Sequence, residues 1–233
     1  MRIGIVEDHL MTRDFVKKVC LLENDVQVVA EAPNGCNAVE QIVLTKPDLV
    51  VLDIELPDIN GFDVLARVRR FGVHPQVLIL SCHSTPYVVY RVEKAGVQGF
   101  VDKCEQTIDT LRCAIRAIRS NHSFFSRSFL EARVRRLKDP LAFDKLLTDQ
   151  QMLVLSLVAR LDDDRAIANG LAITERTVEA HRTAIMRKLD VHSRTELIRY
   201  ANDNGFTKAP IVAFQKTTAE TSPRSSLGSP NDA

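Results

Sequence analysis

Five short runs of aliphatic and β-branched residues recur along the first 120 residues, and each gives way to a polar side chain or a turn. They are Ile3-Gly4-Ile5-Val6, Gln27-Val28-Val29-Ala30, Leu49-Val50-Val51-Leu52, Val77-Leu78-Ile79-Leu80 and Gly99-Phe100-Val101. Between them lie stretches of about 10–15 residues with helical spacing, such as Val39, Ile42 and Val43 before Pro47, and Phe62, Leu65 and Val68 after Gly61. Strand and helix alternating in this way predict a doubly wound, five-stranded parallel sheet, an α/β fold whose ligands bind at the carboxyl ends of the strands. Asp8, Asp53, Ser81 and Lys103 all fall at such ends.

Their chemistry is that of a phosphoryl site. Asp53 ends an apolar run and leads into Leu56-Pro57-Asp58-Ile59-Asn60-Gly61, which predicts a carboxylate held at the sheet edge with one side exposed. Mg²⁺ takes oxygen ligands in near-octahedral geometry and keeps several waters beside one or two carboxylates. Asp8, Asp53 and the backbone carbonyl of Glu55 can supply such a set, with Glu7 orienting bound water. An aspartate can also attack phosphorus. Transfer then needs the charge on the equatorial oxygens to be met: by Mg²⁺, by the Lys103 ammonium, and by the Ser81 hydroxyl with nearby backbone N–H groups. Taken singly, the acidic pair is a solvated turn, Lys103 a surface lysine and Ser81 a strand-end cap. Their joint spacing carries the reading.

A formal net charge of +1 over 233 residues excludes a polycation, so nucleic-acid contact has to come from local placement of basic residues. No apolar run approaches the roughly 20 residues that span a bilayer, and no leader-like segment is evident. The expectation is a cytoplasmic protein without a membrane partner. Five cysteines, Cys20, Cys36, Cys82, Cys104 and Cys113, form no CxxC pair and are expected to be reduced. Cys82 and Cys104 are expected as two small buried thiols rather than a redox pair flanking the site.

Beyond residue 120 the pattern changes. Ser120-Asn121-His122-Ser123 breaks the fifth helix, and residues 121–144, with Arg127, Arg133, Arg135, Arg136 and Lys138 ahead of Asp139-Pro140, read as an exposed connector, helical in part. Residues 145–206 are helical with short turns. A first helix carries Leu153, Val154, Leu157 and Val158, a second begins at Arg165, and Thr174 caps a third with Val178, Ile185 and Leu189 facing inward. Helix, short turn and helix make a helix-turn-helix pattern. At 100° per residue the opposite face of the third helix carries Arg176, Glu179, Ala180, Thr183 and Arg187. Thr174 and Thr177 stand at its N-terminal end, and Arg182, Lys188 and Arg194 at its flanks. Such a face enters a major groove with its N-terminal residues nearest the bases and its flanking cations on phosphates. Glu179 and the acidic turn Asp162-Asp163-Asp164 would repel phosphate. Residues 207–233, rich in Ser, Thr, Pro, Ala and Gly, are expected to be disordered.

Glu7-Asp8, Asp53 with Leu56-Pro57 and Gly61, Ser81, Ala95-Gly96, and Phe100 three residues before Lys103 closely resemble the flavodoxin-like receiver domain of bacterial response regulators over residues 1–120. The string AIANGLAITERTVEAHRTAIMRKLDVHSRTELIRYA resembles the four-helix output domain of the LuxR/NarL type. The resemblance implies a phosphoacceptor, Asp53, loaded by a sensor histidine kinase with Mg²⁺. It implies a switch in which Ser81 is drawn inward and Phe100 rotates into the space vacated. It further implies homodimerisation on activation through a helix over Ser193–Asn204, a recognition helix covered by the unphosphorylated receiver, and binding to double-stranded DNA that regulates transcription. Cys82, Cys104, Gln151, Leu161 and Glu179 depart from the commonest family pattern.

This describes a regulator, not an enzyme. A phosphatase or ATPase using Asp53 lacks a second Asp two residues on, and no P-loop supports nucleotide binding. A phosphorylation-dependent protein-interaction switch without DNA binding is favoured only by the acidic turn and Glu179.

Overall fold

The computed structural model describes residues 1–160 and 163–207. Its first part is a parallel sheet in the order β2-β1-β3-β4-β5-β6, built from β1 (Arg2–Val6), β2 (Gln27–Ala32), β3 (Leu49–Asp53), β4 (Gln76–Ser81), β5 (Gly99–Asp102) and β6 (Phe124–Phe125). Side chains alternate across a strand. Ile3, Ile5, Leu49, Val51, Leu78 and Leu80 therefore pack on one face beneath α1 (Leu10–Leu21) and α5 (Ile108–Arg119). Val6, Val50, Leu52, Val77, Ile79 and Phe100 pack on the other beneath α2 (Gly35–Thr45), α3 (Gly61–Arg70) and α4 (Pro86–Ala95). Burial on both faces is why the strand runs carry no polar alternation. The register sets Asp53 opposite Leu80 and Ser81 opposite Asp102, which brings the polar strand ends to one edge.

The sheet has six strands rather than the five expected. After Asn121, which adopts a left-handed φ of 58°, the chain re-enters the sheet, and Phe124 and Phe125 pair with Gly99 and Phe100. A strand of two residues is too short to show a period.

The segment expected as an exposed connector is in fact packed along one side. In α6 (Arg127–Lys138), Phe129, Ala132 and Arg136 are buried. The Phe129 ring lies 4.9 Å from Phe100 and 4.8 Å from Phe125. Arg136 pairs with Glu93 of α4 and with Asp144, and Arg133 reaches Glu93 at 2.6 Å.

A single turn, α7 (Phe143–Leu146), leads into four helices: α8 (Asp149–Ala159), α9 (Asp164–Leu171), α10 (Glu175–Leu189) and α11 (Arg194–Asp203). Gln151 completes a capping box with Thr148 at the start of α8, the role a glutamate would play there. Thr174 caps α10 by accepting the Thr177 N–H at 3.1 Å. Leu161, Asp162 and residues 208–233, where a departure, part of the acidic turn and disorder were expected, lie outside the described residues.

The end of the helical part returns to α4. Phe206 stacks on Tyr87, with centroids 4.0 Å apart, and meets Phe143 edge-on at 5.0 Å. The Tyr87 N–H donates to the Asn204 carbonyl at 3.0 Å, and the Tyr90 hydroxyl to Asp149 at 2.9 Å. Gly205 has φ of 82°, and a Cβ on it would stand 1.9 Å from Thr85 Oγ1. Only a residue without a side chain allows this approach.

Gly170, inside α9, has open space around its Cα. Gly170→Ala should raise stability by roughly 0.5–1 kcal/mol through helix propensity, whereas Gly205→Ala should lower it by breaking the contact with α4. Urea titrations followed by circular dichroism should move in opposite directions. Equal shifts for the two variants would show that Gly205 is not needed for the close approach.

Candidate phosphoryl site and DNA-facing helix

The loop after β3 is pinned at both ends. A Cβ at Gly61 would lie 2.5 Å from the Asp53 carbonyl, so α3 starts directly against the strand end. Asp58 accepts the Gly35 and Cys36 N–H groups at 2.7 and 2.8 Å. Burial alone would raise its pKa, but these donors hold it well below the usual carboxylate range.

Within that frame Lys103 Nζ lies 2.7 Å from Asp53 Oδ2 and 2.8 Å from Glu7 Oε2. The Glu55 N–H donates to Asp53 Oδ1 at 3.0 Å. Burial pushes the Glu7 carboxyl up, and the charge of Asp53 adds to this against the opposing Lys103. Burial would lower Lys103, but Asp53 and Glu7 hold it above its ordinary value. Asp53 is only 3% exposed. The expectation of a carboxylate open on one side is corrected: the lysine folds over it because two buried carboxylates need a counter-charge.

Glu7, Asp53 and the half-buried Asp8 set three carboxylates against one ammonium, an excess of negative charge that suits a divalent cation. The ligand atoms of Glu7, Asp8 and His9 lie within 4.8 Å of one another. Asp53 stands outside this trio with its Oδ2 on Lys103. His9 was not among the expected ligands; its Nδ1 is 3.1 Å from Asp8 Oδ1, and its place directly after Glu7-Asp8 was the available signal.

Ser81 and Phe100 are both fully buried. Ser81 Oγ accepts the His83 N–H at 3.1 Å, and Phe129 covers Phe100. Phe100 thus stands in a buried position against α6, and any rotation of its ring moves against Phe129. Cys82 and Cys104 are exposed rather than buried, because both stand in the loops beyond their strands. Asp102 beside Cys104 pushes that thiol up. His83 Nε2 lies 3.4 Å from Glu55 Oε1 near the same rim.

In α10, Val178 and Ile185 are buried, while Arg176, Glu179, Ala180, Thr183 and Arg187 are exposed as the helical period requires. These five line an open concavity of about 760 Å³ together with Asp164, Glu175 and Ala184. Two flanking cations are engaged inside the domain: Arg182 pairs with Asp164, and Lys188 Nζ lies 2.8 Å from both the Leu146 carbonyl and Gln151 Oε1. The α/β part was expected to cover this helix. It meets the start of α8 and the chain after α11 instead, through Tyr90 and Tyr87.

Lys103→Met should destabilise the α/β part by roughly 3 kcal/mol by leaving Glu7 and Asp53 without their shared cation. Glu7 already has a raised folded-state pKa, so its ionised form opposes folding, and stability is lost as pH rises through its unfolded value towards the folded one. The loss in the variant should therefore be larger above neutral pH than at about pH 5. A loss independent of pH would show that the two carboxylates do not repel each other.

Residues 3–116 match the family described as response regulator receiver domain, and residues 145–201 match that of bacterial regulatory proteins, luxR family. The Fimbriae Z protein of Salmonella typhimurium is 31% identical over 202 residues, spanning 86% of this chain and 95% of that protein. A nitrate/nitrite response regulator protein homolog of Haemophilus influenzae is 30% identical over 194 residues, spanning 83% and 92%. RcsB from Salmonella enterica serovar Typhimurium, solved bound to a promoter with the phosphomimetic BeF₃⁻, superposes with a TM-score of 0.62 at 20% identity over 87% of this chain and 98% of that one, a likeness of fold. The response regulator ChrA, of a heme-sensing two component system, gives a TM-score of 0.50 at 27% identity over 88% and 98%. The chain belongs to the NarL/LuxR family of two-component response regulators, with a receiver domain followed by a LuxR-type helix-turn-helix DNA-binding domain.

Proposed function

We propose that a sensor histidine kinase phosphorylates this regulator on Asp53 with Mg²⁺, that loading promotes homodimerisation, and that the dimer binds specific double-stranded DNA through α10 to regulate transcription. The observation that carries the reading is the Lys103 ammonium held between Asp53 and Glu7 where β1, β3 and β5 end. An Asp53 carboxylate oxygen attacks phosphorus, the P–N bond to the kinase histidine breaks, and the imidazole leaves with the electron pair. Since Asp53 is nearly buried, Lys103 first swings aside, then returns to a phosphoryl oxygen. Ser81 Oγ exchanges the His83 backbone for another. Mg²⁺, held by Glu7, Asp8, Asp53 and the Glu55 carbonyl, would neutralise further phosphoryl charge. The kinase and DNA partners place this activity in the cytoplasm.

The added charge of about −1.5 to −2 draws on the loops after β4 and β5. Two packed routes lead on from there: Phe100 to Phe129 of α6, and Thr85–Tyr87 to Gly205–Phe206. On the DNA side, Thr174, Arg176 and Thr177 lie at the groove-entering end of α10. Ala180 and Thr183 permit close approach, and Arg187 meets backbone. Arg182 and Lys188 reach phosphates only by leaving Asp164 and the Leu146–Gln151 pair.

Incubation with Mg²⁺ and acetyl phosphate should give a hydroxylamine-labile adduct that peptide mapping places on Asp53. Labelling of Asp53→Asn at the wild-type level would refute the assignment. A glutamate on a DNA-facing surface is tolerable mainly if it accepts a hydrogen bond from a cytosine amino group. Glu179→Ala should then relax preference at one base pair by roughly 1–3 kcal/mol, while Arg187→Ala weakens all sequences alike and lowers the salt slope by about 1. Binding titrations on a selected site and its single-base variants separate the two. Base preference lost with Arg187→Ala alone would reverse the roles.

A further inference from the structure

Helix α6 has two apolar faces, and only one is covered by the described residues. Phe129, Ala132 and Arg136 face the receiver. Leu130, Val134 and Leu137, roughly 130° round the helix at 100° per residue, are 43%, 47% and 51% exposed, and Leu141 in the following turn is 68% exposed. Within the helix, Leu130, Val134 and Leu137 are spaced by four and three residues, as the d, a and d positions of a heptad seam are. Leu130 and Val134 also line an open apolar groove of about 390 Å³.

We infer that this face is where a second copy of the chain docks, with the two α6 helices antiparallel and Glu131 of each copy paired with Lys138 of the other. The inference rests on the proposed activated dimer and adds a contact at α6 to the one expected through the helix over Ser193–Asn204. In the antiparallel arrangement a positions meet d positions, so Val134 packs against the partner's Leu137 and Leu137 against the partner's Val134. The residue following each d position then meets its counterpart, which sets Glu131 beside the partner's Lys138, opposite charges on both sides of the two-fold axis. A parallel arrangement would set Arg133 against the partner's Lys138, a like-charge contact. The stripe is thus complementary to itself, as an isologous interface requires. Glu131 now pairs with the exposed Arg127 at 2.7 Å, a surface contact worth little and readily exchanged. The covered face of the same helix lies on Phe100, so a shift of Phe100 repositions the seam.

The test is sedimentation equilibrium of the full chain with Mg²⁺ and beryllium fluoride. Val134→Glu should weaken self-association by more than roughly tenfold, and Glu131→Lys or Lys138→Glu by roughly fivefold each. The double exchange Glu131→Lys with Lys138→Glu should restore it to the wild-type value. Residues 131 and 138 are two turns apart on one helix, so rescue can arise only between copies. All these positions are exposed, and circular dichroism checks that each variant folds as the wild type does. A wild-type dimer that none of the substitutions weakens, or two single losses without rescue, overturns the inference while leaving the activated dimer intact. A stripe that instead binds another protein or residues 208–233 of the same chain gives that first result. A wild-type chain that stays monomeric overturns the activated dimer, and this contact with it.

Discussion

Two carboxylates in a nearly dry pocket share one lysine, and the rest of the architecture serves that contact. Glu7 and Asp53 are almost fully buried, where like charges repel most strongly, and Lys103 holds both. The three groups come from the ends of three strands, so the parallel register of the sheet delivers them to one edge. The loop that presents Asp53 cannot drift, because Gly61 lets α3 close against the strand end and Asp58 ties the loop to the start of α2. The surplus of negative charge around Lys103 is what the proposed Mg²⁺ and phosphoryl chemistry requires.

The response has somewhere to go because the receiver is packed against α6 and against the end of the helical domain. The ring of Phe100 lies beneath Phe129 of α6, and α4 carries both Tyr87, stacked on Phe206, and Glu93, which holds Arg133 and Arg136. Neither contact covers the exposed face of α10. Control by simple masking of the recognition helix therefore does not fit this arrangement. In the proposed dimer, control of how the two helical domains are spaced fits it, since α4 and α6 pack against both parts of the chain.

The α/β sheet was legible because strands buried on both faces leave uninterrupted apolar runs, and the four polar strand ends were legible because each follows such a run. The face of α10 followed from the helical period alone. What stayed hidden had physical reasons. Phe124 and Phe125 form a strand too short to carry a period, and the many arginines of α6 suggested solvent although two of them are bound to Glu93. The burial of Asp53 depends on a lysine fifty residues away, which no local pattern reports. The intradomain partners of Lys188, the Leu146 carbonyl and Gln151, stayed hidden because they are distant in sequence. His9 beside Asp8 and the exposure of Cys82 and Cys104 are likewise matters of loop geometry.

The central claim is that charge placed on Asp53 is felt through Phe100 and Tyr87 at α6 and at the end of the helical domain. Hydrogen–deuterium exchange of the full chain, with and without beryllium fluoride and Mg²⁺, tests it most directly. The account predicts altered exchange in residues 127–138 and 204–206 as well as in the loops around Asp53. A change confined to the loops around Asp53, with both of those segments unaltered, would contradict it.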